Sequence, residues 1–179
     1  MKKAIIFCFA IGLLALNACN KDEETVEFEF TQEYEFTMST DSISIDTTIA
    51  LTSTDIKSQL KEYSEANSSL VSLVQEIELV SINLESTDPS SQELNFIENI
   101  DVFMNSGTLS ELMVASKNPV PTTTGNTLDL DVEQDVGVLQ YLKNTNFKFR
   151  ISLNQRSALP QETKVKVTGS FKVVAGVDK

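Results

Sequence analysis

Val26-Glu27-Phe28-Glu29-Phe30-Thr31-Gln32-Glu33-Tyr34-Glu35-Phe36-Thr37-Met38 alternates apolar and polar side chains with one interruption. Val26, Phe28, Phe30, Tyr34, Phe36 and Met38 share one parity; Glu27, Glu29, Thr31, Glu33, Glu35 and Thr37 share the other. Successive side chains of a strand point to opposite faces, so a period of two predicts a half-buried strand. One face enters a core and the other carries a row of carboxylates in water. Gln32 breaks the apolar row and marks an expected bend or bulge, with two joined strands as the alternative. The aromatic row reads as core rather than as a stacking platform for bases. The glutamates opposite would repel a nucleic acid in any case.

Working outward, the same alternation returns near the C-terminus. Phe147, Phe149, Ile151 and Leu153 alternate with Lys148, Arg150, Ser152 and Asn154. Val165, Val167, Phe171 and Val173 lie opposite Lys164, Lys166, Thr168, Ser170 and Lys172, and Gly169 is a candidate bulge. The turn Leu159-Pro160-Gln161-Glu162 predicts that these two strands form an antiparallel pair. Between the ends, Ile49 and Leu51 continue an extended piece that begins at Ile43 and Ile45 around Asp46. Ile77 and Leu79 occupy one parity and Val80, Ile82 and Leu84 the other, the change of face that a β-bulge produces. Ile100, Val102 and Met104 alternate before Asn105-Ser106-Gly107-Thr108, and Leu109 to Ala115 follow. This is hairpin chemistry, because glycine accepts positive φ. Phe103 points the other way and is expected under a loop or helix. Leu128, Leu130 and Val132 alternate with Asp129, Asp131 and Glu133. Ser86 to Ser91 and Lys117 to Asn126 read as loops.

Helical spacing is rarer. Ser53-Thr54-Asp55 offers side-chain caps, and Ile56, Leu60 and Tyr63 follow at helical intervals. With Leu70, Leu73 and Val74 they predict a helical insertion over 55–74. Val136, Leu139 and Leu142 predict a short helix capped by Asp135. Seven to nine strands, two or three short helices and no βαβ rhythm predict an all-β fold. The specific expectation is a two-sheet antiparallel β-sandwich with a short helical insertion, one domain over 26–175.

The N-terminus carries a different signal. Lys2 and Lys3 precede the largely apolar Ala4 to Leu16, and Asn20-Lys21-Asp22-Glu23-Glu24 turns abruptly polar. A basic start, a short apolar core and small residues before a cut site read as a secretory signal. The run falls short of the roughly 20 residues that cross about 30 Å of hydrocarbon. Leu16-Asn17-Ala18-Cys19 resembles a bacterial lipobox. The resemblance implies a signal peptide over 1–18, a lipid, palmitate among its acyl chains, on Cys19, and an acidic tether over 19–25. Lys21-Asp22-Glu23-Glu24 resembles the Lys-acidic export signal of surface-displayed lipoproteins of the Bacteroidetes group. That implies an outer-membrane, lipid-anchored protein facing the cell exterior.

The body has a broader likeness. The bulged strand after a helix, Asn95-Phe96-Ile97-Glu98-Asn99-Ile100-Asp101-Val102-Phe103, Leu139-Gln140-Tyr141-Leu142-Lys143, Phe147 to Leu153 and Val165 to Val173 are similar in order to small β-sandwich lipoproteins of the same group without assigned function. The likeness covers 26–175, implies the sandwich and transfers no catalytic residue.

Composition excludes several chemistries. Fourteen Lys plus Arg against 26 Asp plus Glu give the 179-residue chain a net charge of −12, and residues 1–18 carry two lysines and no acid, so the 161 residues that follow stand at −14. Such a charge repels nucleic acid and anionic lipid surfaces. Histidine is absent, and Cys8 and Cys19 are the only cysteines. Ser/His/Asp and Cys/His nucleophile systems and His-based zinc sites are therefore excluded. The expectation is no catalytic residue, no cofactor and no metal. Asp129, Asp131, Glu133 and Asp135 form a dense acidic run, but an EF-hand loop starting at Asp129 would need glycine at Gln134 and glutamate at Gln140. The run reads as the solvated face of an edge strand. Tyr34, Tyr63 and Tyr141 are candidates for a carbohydrate platform. Lys143, Lys148, Arg150, Arg156, Lys164, Lys166 and Lys172 form a less acidic C-terminal third that could meet an acidic partner or the acidic front of the same domain.

The functional expectation is an envelope-anchored, non-enzymatic accessory or binding lipoprotein. Its partners are the membrane through the lipid on Cys19 and an envelope protein or glycan, and not nucleic acid. One alternative is a carrier of lipid or a small hydrophobic ligand, with a cavity lined by Phe28, Phe30, Phe147 and Phe149. Another is a glycan-active enzyme with two acids about 5–5.5 Å or about 6.5–9.5 Å apart, one with a raised pKa.

Overall fold

The computed structural model of the chain describes residues 25–40, 48–58, 60, 74–107, 109–144 and 146–176. Cys19, the export residues Lys21 to Glu24, Ile43, Ile45, Asp46, Tyr63 and most of the predicted helical insertion lie outside the described residues. Nine strands are described: β1 Thr25–Met38, β2 Ile49–Thr52, β3 Ile56–Lys57, β4 Val74–Asp88, β5 Ile97–Asn105, β6 Leu112–Lys117, β7 Thr127–Val132, β8 Asn146–Gln155 and β9 Thr163–Gly176. A short α-helix, α1 (Leu139–Lys143), and a 3₁₀ turn at Leu94–Phe96 accompany them among the described residues. The chain is mostly β, and every strand pairing is antiparallel.

The hydrogen bonding runs through one continuous sheet in the order β1-β9-β4-β7-β6-β5-β8-β2, with β3 also on β8. The expectation was two separate sheets. Strand β7 joins the halves: Thr127 to Leu130 pair with β4, and Asp131 and Val132 pair with β6. The sheet curls so that its halves face each other. A methyl group built on Gly169 of β9 would lie 3.2 Å from Phe171 and 3.6 Å from Phe149 of β8. At the rim, Thr54, between β2 and β3, donates its backbone N–H to the Tyr34 hydroxyl of β1 at 3.1 Å. This bond ties β1 to the segment between β2 and β3, at the two ends of the strand order.

Alternation supplies the core. Phe147, Phe149, Ile151 and Leu153 of β8 and Val165, Val167, Phe171 and Val173 of β9 are buried. Phe30 stacks on Phe171 with ring centroids 5.1 Å apart, and Phe147 meets Phe149 edge-on at 5.3 Å. The bulge expected in β4 is present: register shifts between Leu79 and Ser81, which leaves Val80 exposed and returns Ile82 and Leu84 to the core. The predicted Ile100-to-Ala115 hairpin is the β5–β6 pair.

Several expectations are corrected. β1 is one unbroken strand, and Gln32 pairs directly with Gly169 in an unshifted register. The two interruptions of the apolar rows thus lie opposite each other, and neither bends the ladder. β8 and β9 do not pair. β8 lies between β5 and β2, and β9 between β1 and β4, because residues 156–162 carry the chain from one half of the sheet to the other. Ser53 caps no helix: its Oγ accepts from the Phe149 N–H at 3.0 Å and donates to the Thr54 carbonyl at 2.8 Å. Ile56 and Lys57 pair with Phe147 and Asn146 as strand, and Val74 opens β4, so the ends of the 55–74 stretch are not helical, while Leu60 within it is. Pairing to a neighbouring strand overrides local helical spacing there. Asp135 sits at φ 58, three residues before the Val138 N-cap of α1, and does not cap it.

Candidate functional site

Strand β8 has two faces with different chemistry. Its inward row is the phenylalanine core. Its outward row, Asn146, Lys148 and Arg150, lies in a cleft of about 760 Å³. Thr52 and Asp55 form one wall, from the segment that contains β2 and leads to β3. Asn105, Ser106, Gly107 and Glu111 form the other, from the end of β5 and the turn toward β6. Strand register makes the site. Arg150 pairs with Thr52 on one side and Phe103 on the other, and Lys148 pairs with Asn105.

The charges are fixed in pairs. Glu111 accepts two hydrogen bonds from Arg150, one from Nε and one from Nη2, both 2.6 Å. The guanidinium also lies over the Phe103 ring at 4.1 Å from its centroid. Phe103, expected under a loop or helix, is covered by this cation instead. The bonds from Arg150 hold the Glu111 carboxyl below the usual carboxylate range, against the opposing pull of burial. The same bonds raise Arg150 further above its ordinary value. Lys148 meets Asp55 at 3.4 Å. Two cations and two carboxylates thus compensate within the cleft.

The turn at its lower end is held by Ser106. Its buried Oγ donates to the Asn146 carbonyl at 2.7 Å and accepts from Asn144 Nδ2 at 2.9 Å. Gly107 adopts φ +56, a conformation that side-chain-bearing residues rarely take. Together these fix the β5–β6 connection against the start of β8.

The sequence-predicted candidates scatter. Asp129 accepts from Asn83 at 2.8 Å, and Asp131 is paired with Lys117 at 2.9 Å. Among the described residues no group of three or more histidine, cysteine or acidic side chains is placed to hold a metal ion. The residues offered for calcium, Asp129, Asp131, Glu133 and Asp135, are therefore not brought together. Tyr34 bonds to Thr54, and the buried Tyr141 hydroxyl donates to the Ser110 carbonyl, so both serve the scaffold. The basic third meets acids of its own domain: Lys164 faces Glu35 at 3.8 Å, Lys166 faces Glu85 at 2.8 Å and Lys172 faces Glu27 at 2.9 Å. Arg156 donates to the carbonyls of Asn95 and Val120. Lys148 and Arg150 alone of that group enter the cleft. Sequence reasoning missed Thr52, Asn105, Asn144, Asn146 and Glu111 as lining residues, since only non-local strand pairing assembles them.

A second groove, of about 530 Å³, runs between β4 and the loop before α1. Glu76, Glu78, Glu133 and Asp135 are its charged lining residues.

No family model matches the chain, and no curated protein matches it. Solved structures similar to it include the infectious bursal disease virus VP2 subviral particle, at 15% identity and TM-score 0.39, covering 93% of this chain and 37% of that one. A chain of desmodium yellow mottle tymovirus gives 9% identity and TM-score 0.34 over 94% of this chain and 97% of that one. Turnip yellow mosaic virus gives 11% identity and TM-score 0.33 over 95% and 90%. The chain spans little more than a third of the VP2 chain it matches.

Proposed function

We propose that the chain is an envelope-anchored, non-enzymatic binding lipoprotein whose curled sheet acts as a two-layer sandwich presenting the β8 cleft. In this reading Cys19 carries the lipid, Lys21 to Glu24 direct the domain to the cell exterior, and an envelope component occupies the cleft. The observation that carries the reading is the division of β8. Its inward phenylalanines pin the strand to the core, so its outward polar row is held on a rigid element rather than on a loop.

Two features weigh against the alternatives. Glycoside hydrolysis needs a carboxylic acid that keeps its proton near neutral pH. Glu111 is held ionised by Arg150, the opposite tuning. A lipid carrier needs open apolar space among its phenylalanines. Phe30 is stacked on Phe171, Phe147 meets Phe149 edge-on, and Phe149 approaches Gly169 across the core.

Affinity capture from crosslinked envelopes, read by mass spectrometry, tests the proposal. The wild-type protein should recover one envelope component reproducibly. Asn146→Trp, an exposed substitution that fills the cleft, should abolish that recovery. Equal recovery by both rejects the cleft. Failure to recover any component, with a lipid carried in the native mass spectrum, replaces the reading with the lipid carrier.

A further inference from the structure

We infer that the β8 cleft takes a neutral, polyhydroxylated ligand, a glycan segment, rather than an ion; the inference rests on the cleft being the binding site proposed above. The charge pattern is the first ground. Asp55 is matched by Lys148 and Glu111 by Arg150, so the cleft presents no uncompensated charge. A charged ligand would gain little net attraction there, because each charge it met is already offset by a neighbour.

Unused hydrogen-bonding capacity is the second ground. The side-chain amides of Asn105 and Asn146 have no hydrogen-bond partner among the described residues. Each amide supplies two donors and one acceptor oxygen. A hydroxyl both donates and accepts, so an amide satisfies it in either sense. A phosphate or carboxylate accepts only, so it could use the amide N–H groups but would give neither amide oxygen a donor. Arg150 spends Nε and Nη2 on Glu111, which leaves Nη1 to donate to a ligand oxygen. Asn105 pairs with Lys148, so Asn105 and Asn146 are diagonal neighbours across the β5–β8 ladder. Diagonal positions stand about 7–8 Å apart, a span that one sugar ring and its hydroxyls bridge. The volume of about 760 Å³ also falls within the range of small-ligand clefts, about 300–1,000 Å³.

The test is titration calorimetry on the purified full chain with three sets of probes. These are neutral oligosaccharides of glucose, galactose, mannose and N-acetylglucosamine; polygalacturonate oligomers; and chitosan oligomers. A neutral oligosaccharide should bind saturably. Its affinity should change less than about twofold between roughly 0.05 and 0.5 M salt, because screening acts on charge. The double substitution Asn105→Ala, Asn146→Ala should weaken it about tenfold, the loss expected for one or two hydrogen bonds. Lys143→Ala, outside the cleft, should leave it unchanged. Binding confined to polygalacturonate or chitosan, weakened by salt, overturns the inference. If the double substitution also removes that binding, the cleft reading stands and only the ligand class is wrong. Neutral binding untouched by the double substitution overturns both. Failure of every neutral probe, while Asn146→Trp still abolishes envelope capture, overturns the ligand class alone.

Discussion

Gln155 is the residue whose placement most opposes its chemistry. It ends the inward row of β8, is 1% exposed, and neither its Oε1 nor its Nε2 has a hydrogen-bond partner among the described residues. A buried amide without partners costs about 1–3 kcal/mol of desolvation. Gln155→Leu removes the polar atoms at similar volume and should raise stability by about 1–2 kcal/mol. A higher urea midpoint at unchanged slope would show this; a loss of stability would mean that the amide is bonded in solution. Glu111 is the opposite case, a carboxylate well provided with donors. Its folded pKa is depressed by the Arg150 hydrogen bonds. The pair therefore contributes stability above the ordinary carboxylate pKa, and that stability is lost as pH falls through the depressed folded value. Side-chain exposures of 25% and 34% for Arg150 and Glu111 keep the contribution modest, about 1 kcal/mol, near the upper end for surface pairs because the bond is bidentate. Glu111→Gln should lower stability by that amount at pH 7 and by almost nothing well below pH 4, as read from paired urea titrations. An equal deficit at both pH values would contradict the assignment.

At the scale of elements, β8 is the strand on which most depends. Phe149 is fully buried, meets Phe147 edge-on and approaches Gly169 of β9 across the core. Phe149→Ala should cost about 3–5 kcal/mol, the transfer free energy of the ring plus the cavity left behind. Chemical denaturation measures it, and a cost below about 1 kcal/mol would mean that the halves do not meet there. The buried and exposed rows of β8 and β9 were legible because alternation is local and strict: Phe149 and Val167 are buried, and Lys148 and Lys166 are half-exposed. The bulge at Val80 was legible for the same reason, as one residue of phase shift in an otherwise regular run. Strand partners were not. Nothing within β8 or β9 records that a seven-residue connection passes from one half of the sheet to the other instead of turning a hairpin. Gln32 and Gly169 each look like a defect in isolation, and only the register shows them opposite each other. Ile56 and Lys57 keep helical spacing with Leu60, yet pairing with β8 fixes them as strand. The cleft was half visible. Lys148 and Arg150 stood out as cations on an outer row, whereas Asp55, Asn105 and Glu111 reach them through pairings and turns that no local pattern encodes.

At the scale of the whole molecule, curvature and the proposed anchorage set how the cleft is presented. The Tyr34–Thr54 bond links β1 to the β2–β3 segment, the two ends of the sheet order. Tyr34→Phe should cost about 0.5–1.5 kcal/mol, the net worth of one hydrogen bond. Hydrogen exchange at the Thr54 amide should quicken, while the β8 amides, deep in the ladder, should not change. Unaltered exchange at Thr54 would remove the bond from the account of how the sheet closes. Anchorage gives the last prediction. With Cys19 lipidated, the acidic tether before β1 begins at Thr25 is short, so the domain stands close to whichever membrane leaflet holds the lipid. The sign of the chain matters here. With residues 1–18 removed, a net charge of −14 would hold the domain off anionic headgroups. One acyl chain binds a membrane only marginally, so stable retention requires at least two. Intact-mass measurement of membrane-extracted protein should therefore show a chain starting at Cys19 with the added mass of two or three acyl groups, and Cys19→Ala should leave the protein unlipidated. Facing outward is a separate claim and needs a separate measurement. Protease applied to intact cells should release the wild-type domain, and replacing Lys21 to Glu24 by alanine should protect it without altering the lipid mass. Equal protection of both proteins would place the domain inside the envelope, where the β8 cleft could meet only periplasmic components.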